Sequence, residues 1–333
     1  MTDQPRVIVV NDRPVREDGR YVLYWMQHSQ RAHENPALER AVSHANDLDL
    51  PLLVLFVVDP SYPEANARHY TFMLEGLKET MADIRSRGAH MALRLGHPPD
   101  VAAEVARDAA VVVTDRGYLR HLAEWRIALG KAAPCTVETV EGDVLVPVEE
   151  ASQKRETAAR TIRPKLMRAA SEYAERPTES RLARRARGLK SDDDVELGSI
   201  PRFIEMLGCD TSVGPVDGWK GGTKAAPARL KAFVEDGLAA YGEGRADIVD
   251  RNVSGLSPYV HFGQISPVEI ALAVRDARGP DDETRRVYLE ELIVRRELAI
   301  NHAWWAPADY DSYDGLPDWA RLTLEAHEAD PRP

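Results

Sequence analysis

At 333 residues, 44% of them hydrophobic and 29% charged, the chain is long enough for two domains with separate cores and has the composition of an ordinary globular protein. It has no apolar run of about 18 residues, which excludes a helical membrane span, and its two cysteines, Cys135 and Cys209, make neither a disulfide framework nor a metal quartet. A net charge of −11 argues against indiscriminate polyanion binding, and the absence of an apolar leader over the first residues sets the expected location as cytoplasmic.

Residues 1–150 read as strand and helix in turn. Short apolar runs at 7–10, 21–25, 52–58, 91–95 and 110–113 suit strands buried on both faces of a parallel sheet. Helical stretches at 36–45, 67–87, 99–107 and 119–129 separate them, so a doubly wound, Rossmann-like α/β domain is expected. Such sheets bind ligands at the carboxyl ends of their strands, which points to Asp59, Gly96, Asp115 and Arg116. No Gly-x-Gly-x-x-Gly follows the first strand, so the dinucleotide fingerprint is missing. His28 and His33 are five residues apart with no third ligand nearby, and no metal is expected.

Residues 151–190 carry twelve Lys/Arg against four Glu and read as helical; they are either a solvated connector or a patch that meets DNA phosphates. Ser191-Asp192-Asp193-Asp194 breaks this stretch, and 151–223 as a whole is expected to join the two domains. From 224 to 333 the chain reads as all-helical, with Leu230, Phe233, Leu238 and Tyr241 on one buried stripe. Ser257-Pro258 and Ser266-Pro267, the latter followed by Glu269, are helix starts, and Gly263 ends the helix between them. Two helix N-termini so close together would suit a phosphate. Over 284–301 the helical period puts Tyr288, Glu291 and Arg295 on one face and Leu289, Ile293 and Ile300 on its neighbour. A Glu291–Arg295 surface pair would contribute only about 0.3–0.5 kcal/mol.

Tyr241, Arg245, the run Leu256-Ser257-Pro258-Tyr259-Val260-His261-Phe262-Gly263 and the run Glu290-Glu291-Leu292-Ile293-Val294-Arg295-Arg296-Glu297-Leu298 together resemble the flavin-binding half of DNA photolyases. The last run is similar specifically to class II cyclobutane pyrimidine dimer photolyases. Tyr24-Trp25-Met26-Gln27-His28-Ser29-Gln30-Arg31, the stretch from Arg68 to Leu77, and Arg160-Thr161-Ile162-Arg163-Pro164-Lys165 resemble the antenna domain and interdomain segment of that class. The resemblance implies FAD held by Tyr241, Val253, Ser254, Gly255, Leu256, Ser257 and Tyr288. It implies Glu291 and Arg245 at the lesion, and Arg295, Arg163 and Lys165 on UV-damaged DNA. It also implies room for a second, antenna chromophore in the α/β domain.

The implied reaction is light-driven electron transfer from reduced FAD to the dimer, with no general base or nucleophile. Family members continue past the equivalent of 319–325 with helices that complete the flavin pocket, and Trp304, Trp305 and Trp319 do not match the family's tryptophan relay. A truncated FAD domain with bare apolar surface is therefore expected. The protein would be either a monomeric photolyase of weakened activity or one completed by a further C-terminal polypeptide. The alternative is a truncated, non-catalytic flavin- or DNA-binding protein.

Overall fold

A computed structural model describes residues 5–246 and 252–331. Six strands form one sheet: β1 (Val7–Val9), β2 (Tyr21–Trp25), β3 (Leu52–Val58), β4 (His90–Leu95), β5 (Ala109–Asp115) and β6 (Thr136–Val140), in the order β1-β6-β5-β2-β3-β4. All neighbours are parallel except β1, which runs antiparallel to β6. The sheet is therefore mixed, not wholly parallel as expected. β2, β3 and β5 are buried at every position, as both-face coverage by helices requires.

On one face pack α1 (Pro36–Asp47) and α2 (Ala67–Ser86), with Leu38, Val42, Leu74, Leu77 and Ile84 in the core. On the other pack α3 (Pro98–Ala106) and α4 (Arg120–Ala132), through Ala102, Val105 and Leu129. Asn35 and Asn66 cap α1 and α2, satisfying backbone N–H groups left free at a helix start.

The apolar-run rule misses β6 because Thr136, Glu138 and Thr139 interrupt it. Glu138 nonetheless sits in the buried strand, bonded to Arg40 (2.7 and 2.8 Å) and His44 (2.9 Å). Burial alone would push its carboxyl up, but these partners hold it down at about 2.

After a short helix, α5 (Val148–Ala151), the basic stretch is helical only over α6 (Ala159–Tyr173). The expectation of helix to 190 fails after Tyr173, and Pro177, which has no N–H to donate, bars the ladder from continuing. From there the chain lies along the α/β domain without regular structure. Arg176 pairs with Glu34 (2.5 Å), the Ser180 N–H donates to Glu39 (2.9 Å), and the Arg184 guanidinium donates to the Asp49 carbonyl (2.9 Å). The Val195 N–H donates to the Leu93 carbonyl (2.7 Å), covering the edge of β4. A further helix within the expected connector, α7 (Ile200–Leu207), buries Phe203, Ile204 and Leu207 against α2 and the sheet core.

The remaining helices are α8 (Ala225–Ala232), α9 (Leu238–Gly244), α10 (Ser257–His261), α11 (Pro267–Arg275), α12 (Asp282–Leu289), α13 (Arg296–Trp305) and α14 (Asp318–Ala326). A π-helical turn, Phe233–Gly237, joins α8 to α9, and another, Glu290–Arg295, joins α12 to α13. Leu230, Phe233, Leu238 and Tyr241 are buried together, as the stripe predicts. Trp319 and Leu322 of α14 are 72% and 65% exposed. Among the described residues no helix is long and apolar enough to cross a membrane, and no His/Cys/Asp/Glu group could hold a metal.

The helical part meets the α/β domain at the corner between α10 and α11. The Arg31 guanidinium donates to the Gly263 carbonyl, to Asp143 and to the Gly142 carbonyl, each at 2.9 Å. Gln264 donates to the Phe72 carbonyl (3.2 Å) and accepts from the Gly222 N–H (2.7 Å). The corner read as a phosphate site is thus largely a joint, though Ser266 does cap α11 through the Val268 N–H (3.2 Å). Ser257 is not a cap: it lies inside α10, which starts after Leu256 with no side-chain cap.

Glu297 makes a second joint. It is fully buried and accepts from the N–H groups of Leu145 and Val146, and burial raises its carboxyl to about 7. An acid raised on folding favours the protonated native state, so its contribution is intact below the unfolded value near 4.3 and is lost as pH climbs through about 7. The loss should total about 3 kcal/mol between pH ~4.5 and ~7. Glu297→Gln should flatten urea-unfolding stability over that window; parallel pH curves for the two proteins would contradict this.

Candidate functional site

Three neighbouring features carry the chemistry. The first is an aromatic wall. The rings of Tyr241 and Tyr288 stand 5.1 Å apart, edge to face, and Phe233 lies 4.9 Å from Tyr288. Burial pushes the Tyr288 phenol up to about 12, while the nearby Ser254 hydroxyl pulls the other way. Ser254 also accepts from the Leu256 N–H (3.4 Å). Gly255 follows at φ 64°, where a Cβ would meet the Arg229 guanidinium at 2.5 Å. That guanidinium is stacked on Trp219 at 4.4 Å. Val253 and Ser257 are exposed, whereas Leu256 is buried in the helical core. Tyr241 and Tyr288 are thus brought together, with Ser254 near Tyr288, while Arg229 and Trp219 beside Gly255 are neighbours that sequence reasoning missed.

The second feature is a charged recess of about 320 Å³ between α6 and the π turn at 290–295, lined by Arg163, Arg245, Arg286, Arg295, Glu290 and Glu291. Arg245 caps α9 one turn after Tyr241 and donates to Glu291 at 2.8 Å. Glu291 is 41% exposed. The expected Glu291–Arg295 pair is replaced by another. The wide π turn carries Arg295 to within 3.6 Å of Glu290, five residues earlier, while Arg163 clasps the same Glu290 at 2.9 and 2.6 Å. Extra-wide turns of this kind are frequent at functional sites, and one follows Phe233 while the other carries Glu291. Lys165 points away from the recess, toward Glu156 and the Ser152 hydroxyl (3.0 Å).

The third feature is a cavity of about 430 Å³ at the carboxyl ends of β2 and β3, beside the β2–β5 boundary at which the strand order reverses. Met26, Gln27, His28 and Asp59 line it from the sheet, and His261 and Phe262 close it from the helical part. Trp125 and Tyr62 meet edge to face along another wall, and His121 packs edge-on against both. The side-chain oxygens of Gln27 and Gln30 and Nε2 of His28 are buried with no hydrogen-bond partner. Burial holds the His28 imidazole below its ordinary value. Orphaned acceptors around a roomy cavity are costly unless a ligand or water answers them.

Of the strand-end residues expected to face a ligand, Asp59 lines this cavity and Gly96 does not. Asp115 instead organises the protein. It accepts from the Tyr24 hydroxyl (2.6 Å) and from the N–H groups of Gln27, His28 and Ser29 (2.7, 2.8 and 3.0 Å), fixing the very turn that presents Gln27 and His28. Arg116 is buried between Glu141 and Glu149 and stacked on Trp304 at 4.1 Å.

The family model for DNA photolyase matches residues 22–182. The chain is 40% identical over 320 residues to the deoxyribodipyrimidine photo-lyase of Methanothermobacter thermautotrophicus, covering 94% of this chain and 68% of that one. It is 32% identical over 333 residues to the deoxyribodipyrimidine photo-lyase of Potorous tridactylus, covering 98% of this chain but 61% of the relative. The chain thus spans roughly two thirds of the length of these relatives. Among solved structures, the cryptochrome of Synechocystis sp. PCC6803 superposes with a TM-score of 0.72 at 17% identity, over 91% of this chain and 67% of that one, a likeness of fold. On the strength of 40% identity to the Methanothermobacter thermautotrophicus relative over more than two thirds of its length, the chain belongs to the DNA photolyase family.

Proposed function

We propose that the protein is a deoxyribodipyrimidine photo-lyase of class II, which binds UV-damaged DNA and splits cyclobutane pyrimidine dimers in light. The observation that carries this reading is the Arg245–Glu291 pair: a partly exposed carboxylate held at 2.8 Å by a guanidinium that follows Tyr241 of the aromatic wall by one helical turn. A carboxylate so placed can accept from the N–H edge of a flipped pyrimidine. The arginines around it can take the flanking phosphates, and Lys165 lies outside that rim as a more distant phosphate contact.

The wall fits FAD. Tyr241 and Tyr288 offer flat apolar faces, and the loop through Val253, Ser254, Gly255, Leu256 and Ser257 offers backbone N–H groups beside the Arg229 guanidinium, a donor set suited to a diphosphate. When bound and reduced, FAD supplies the photo-excited electron that opens the cyclobutane ring. The residues position, exclude water and hold the lesion; no proton transfer is required of them. The cavity at the strand ends, with its orphaned acceptors and aromatic wall, suits a second, light-harvesting chromophore.

The test is to illuminate the FAD-loaded protein with an oligonucleotide carrying one thymine dimer and to follow recovery of the intact thymines. Light-dependent recovery is expected; dimer that persists in light as in the dark would refute the reading.

A further inference from the structure

Glu290 stands apart from the residues the repair reading uses. It is the deeper of the two acids in the recess, its side chain 15% exposed, while Arg163, Arg245 and Arg295 are 41%, 41% and 55% exposed. Arg163 from α6 grips both its oxygens, and Arg295 approaches the same carboxylate from the π turn. Arg286 lines the recess beside them, tethered to Glu283 at 2.9 Å.

A guanidinium fork that fits a carboxylate in two-point fashion fits a phosphate equally well. This recessed acid is therefore a competitor, built into the chain, for the same arginines that would hold DNA. A phosphate from an intact duplex must displace it to reach Arg163, with nothing else to offset the exchange. A duplex whose flipped lesion is anchored on Glu291 and Arg245 brings its phosphate to the recess already tethered, so the exchange becomes effectively intramolecular.

We propose that Glu290 is a specificity-determining positioning residue: it withholds Arg163 and Arg295 from the phosphates of undamaged DNA and releases Arg163 once a lesion is docked. The proposal rests on the repair reading. It also accounts for the geometry of the π turn, which brings Arg295 back over Glu290.

The experiment is a fluorescence-anisotropy titration of Glu290→Gln and the parent against undamaged and dimer-containing duplexes at several salt concentrations, in the dark. The variant should bind undamaged duplex about three- to tenfold more tightly at ~0.1 M salt, with a log–log salt slope steeper by about one. Binding of damaged duplex should change little, so discrimination falls. Arg163→Ala gives an independent arm. In the otherwise unchanged protein it should weaken damaged-duplex binding while leaving undamaged binding nearly unaltered, and added to Glu290→Gln it should cancel the gain. Affinities for both duplexes falling together at an unchanged slope, or Arg163→Ala weakening both equally, would overturn the proposal. A parent protein that binds damaged and undamaged duplex alike would sink the repair reading itself, and the proposal with it.

Discussion

Gly263→Ala is expected to cost about 2–4 kcal/mol and to loosen the helical part from the sheet. Gly263 sits at φ 62° between α10 and α11, where an alanine is strained whatever its surroundings. Its added Cβ would land on the His28 carbonyl oxygen and within 2.9 Å of the Ser29 Cα. Both obstacles are backbone, and that backbone is held by Asp115 through the N–H groups of His28 and Ser29, so neither can step aside cheaply. The Gly263 carbonyl also accepts from Arg31, which is 3% exposed and ties the corner to Asp143. Urea unfolding should show the lost stability, and limited proteolysis should cut the variant near the joint. A change within about 0.5 kcal/mol would mean that the corner is not the clamp described here.

Glu291→Ala should lower affinity for a dimer-containing duplex by about tenfold to a hundredfold, the range for losing hydrogen bonds to a charged group. Folding stability should change by no more than about 1 kcal/mol, because a partly exposed pair contributes little to the fold. Glu291→Gln should retain part of the affinity, since its amide oxygen can still accept. Competition binding with damaged and undamaged duplexes, read beside a denaturation curve, separates the two effects. An equal loss of stability and of binding would return Glu291 to the role of a surface partner for Arg245.

Much of the α/β domain was legible because its central strands are buried on both faces and so are apolar without interruption, as in Leu52–Val58. β6 was not, since Glu138 is buried through partners from α1 that lie some ninety residues earlier. The aromatic wall was legible in the spacing of Leu230, Phe233, Leu238 and Tyr241 and in the resemblance at Tyr288. The recess was legible only in part. A regular helical period places Glu291 beside Arg295, and nothing local in the sequence announces the extra-wide turn that gives Arg295 to Glu290 instead. Arg163 reaches that acid across 127 residues, beyond the scope of any periodicity. The cavity acceptors Gln27 and Gln30 lie inside a run that the resemblance singled out, but their lack of partners is a property of packing and becomes visible only in three dimensions.

The measurement that tests the central claim most directly is the visible absorption spectrum of the protein after incubation with FAD and removal of free cofactor by gel filtration. Bound flavin bands should co-elute with the protein and should weaken in Ser254→Ala and Tyr288→Phe, which strip hydroxyls from the aromatic wall and the loop beside it. A colourless protein peak, with all the flavin recovered in the small-molecule fraction, would contradict the account.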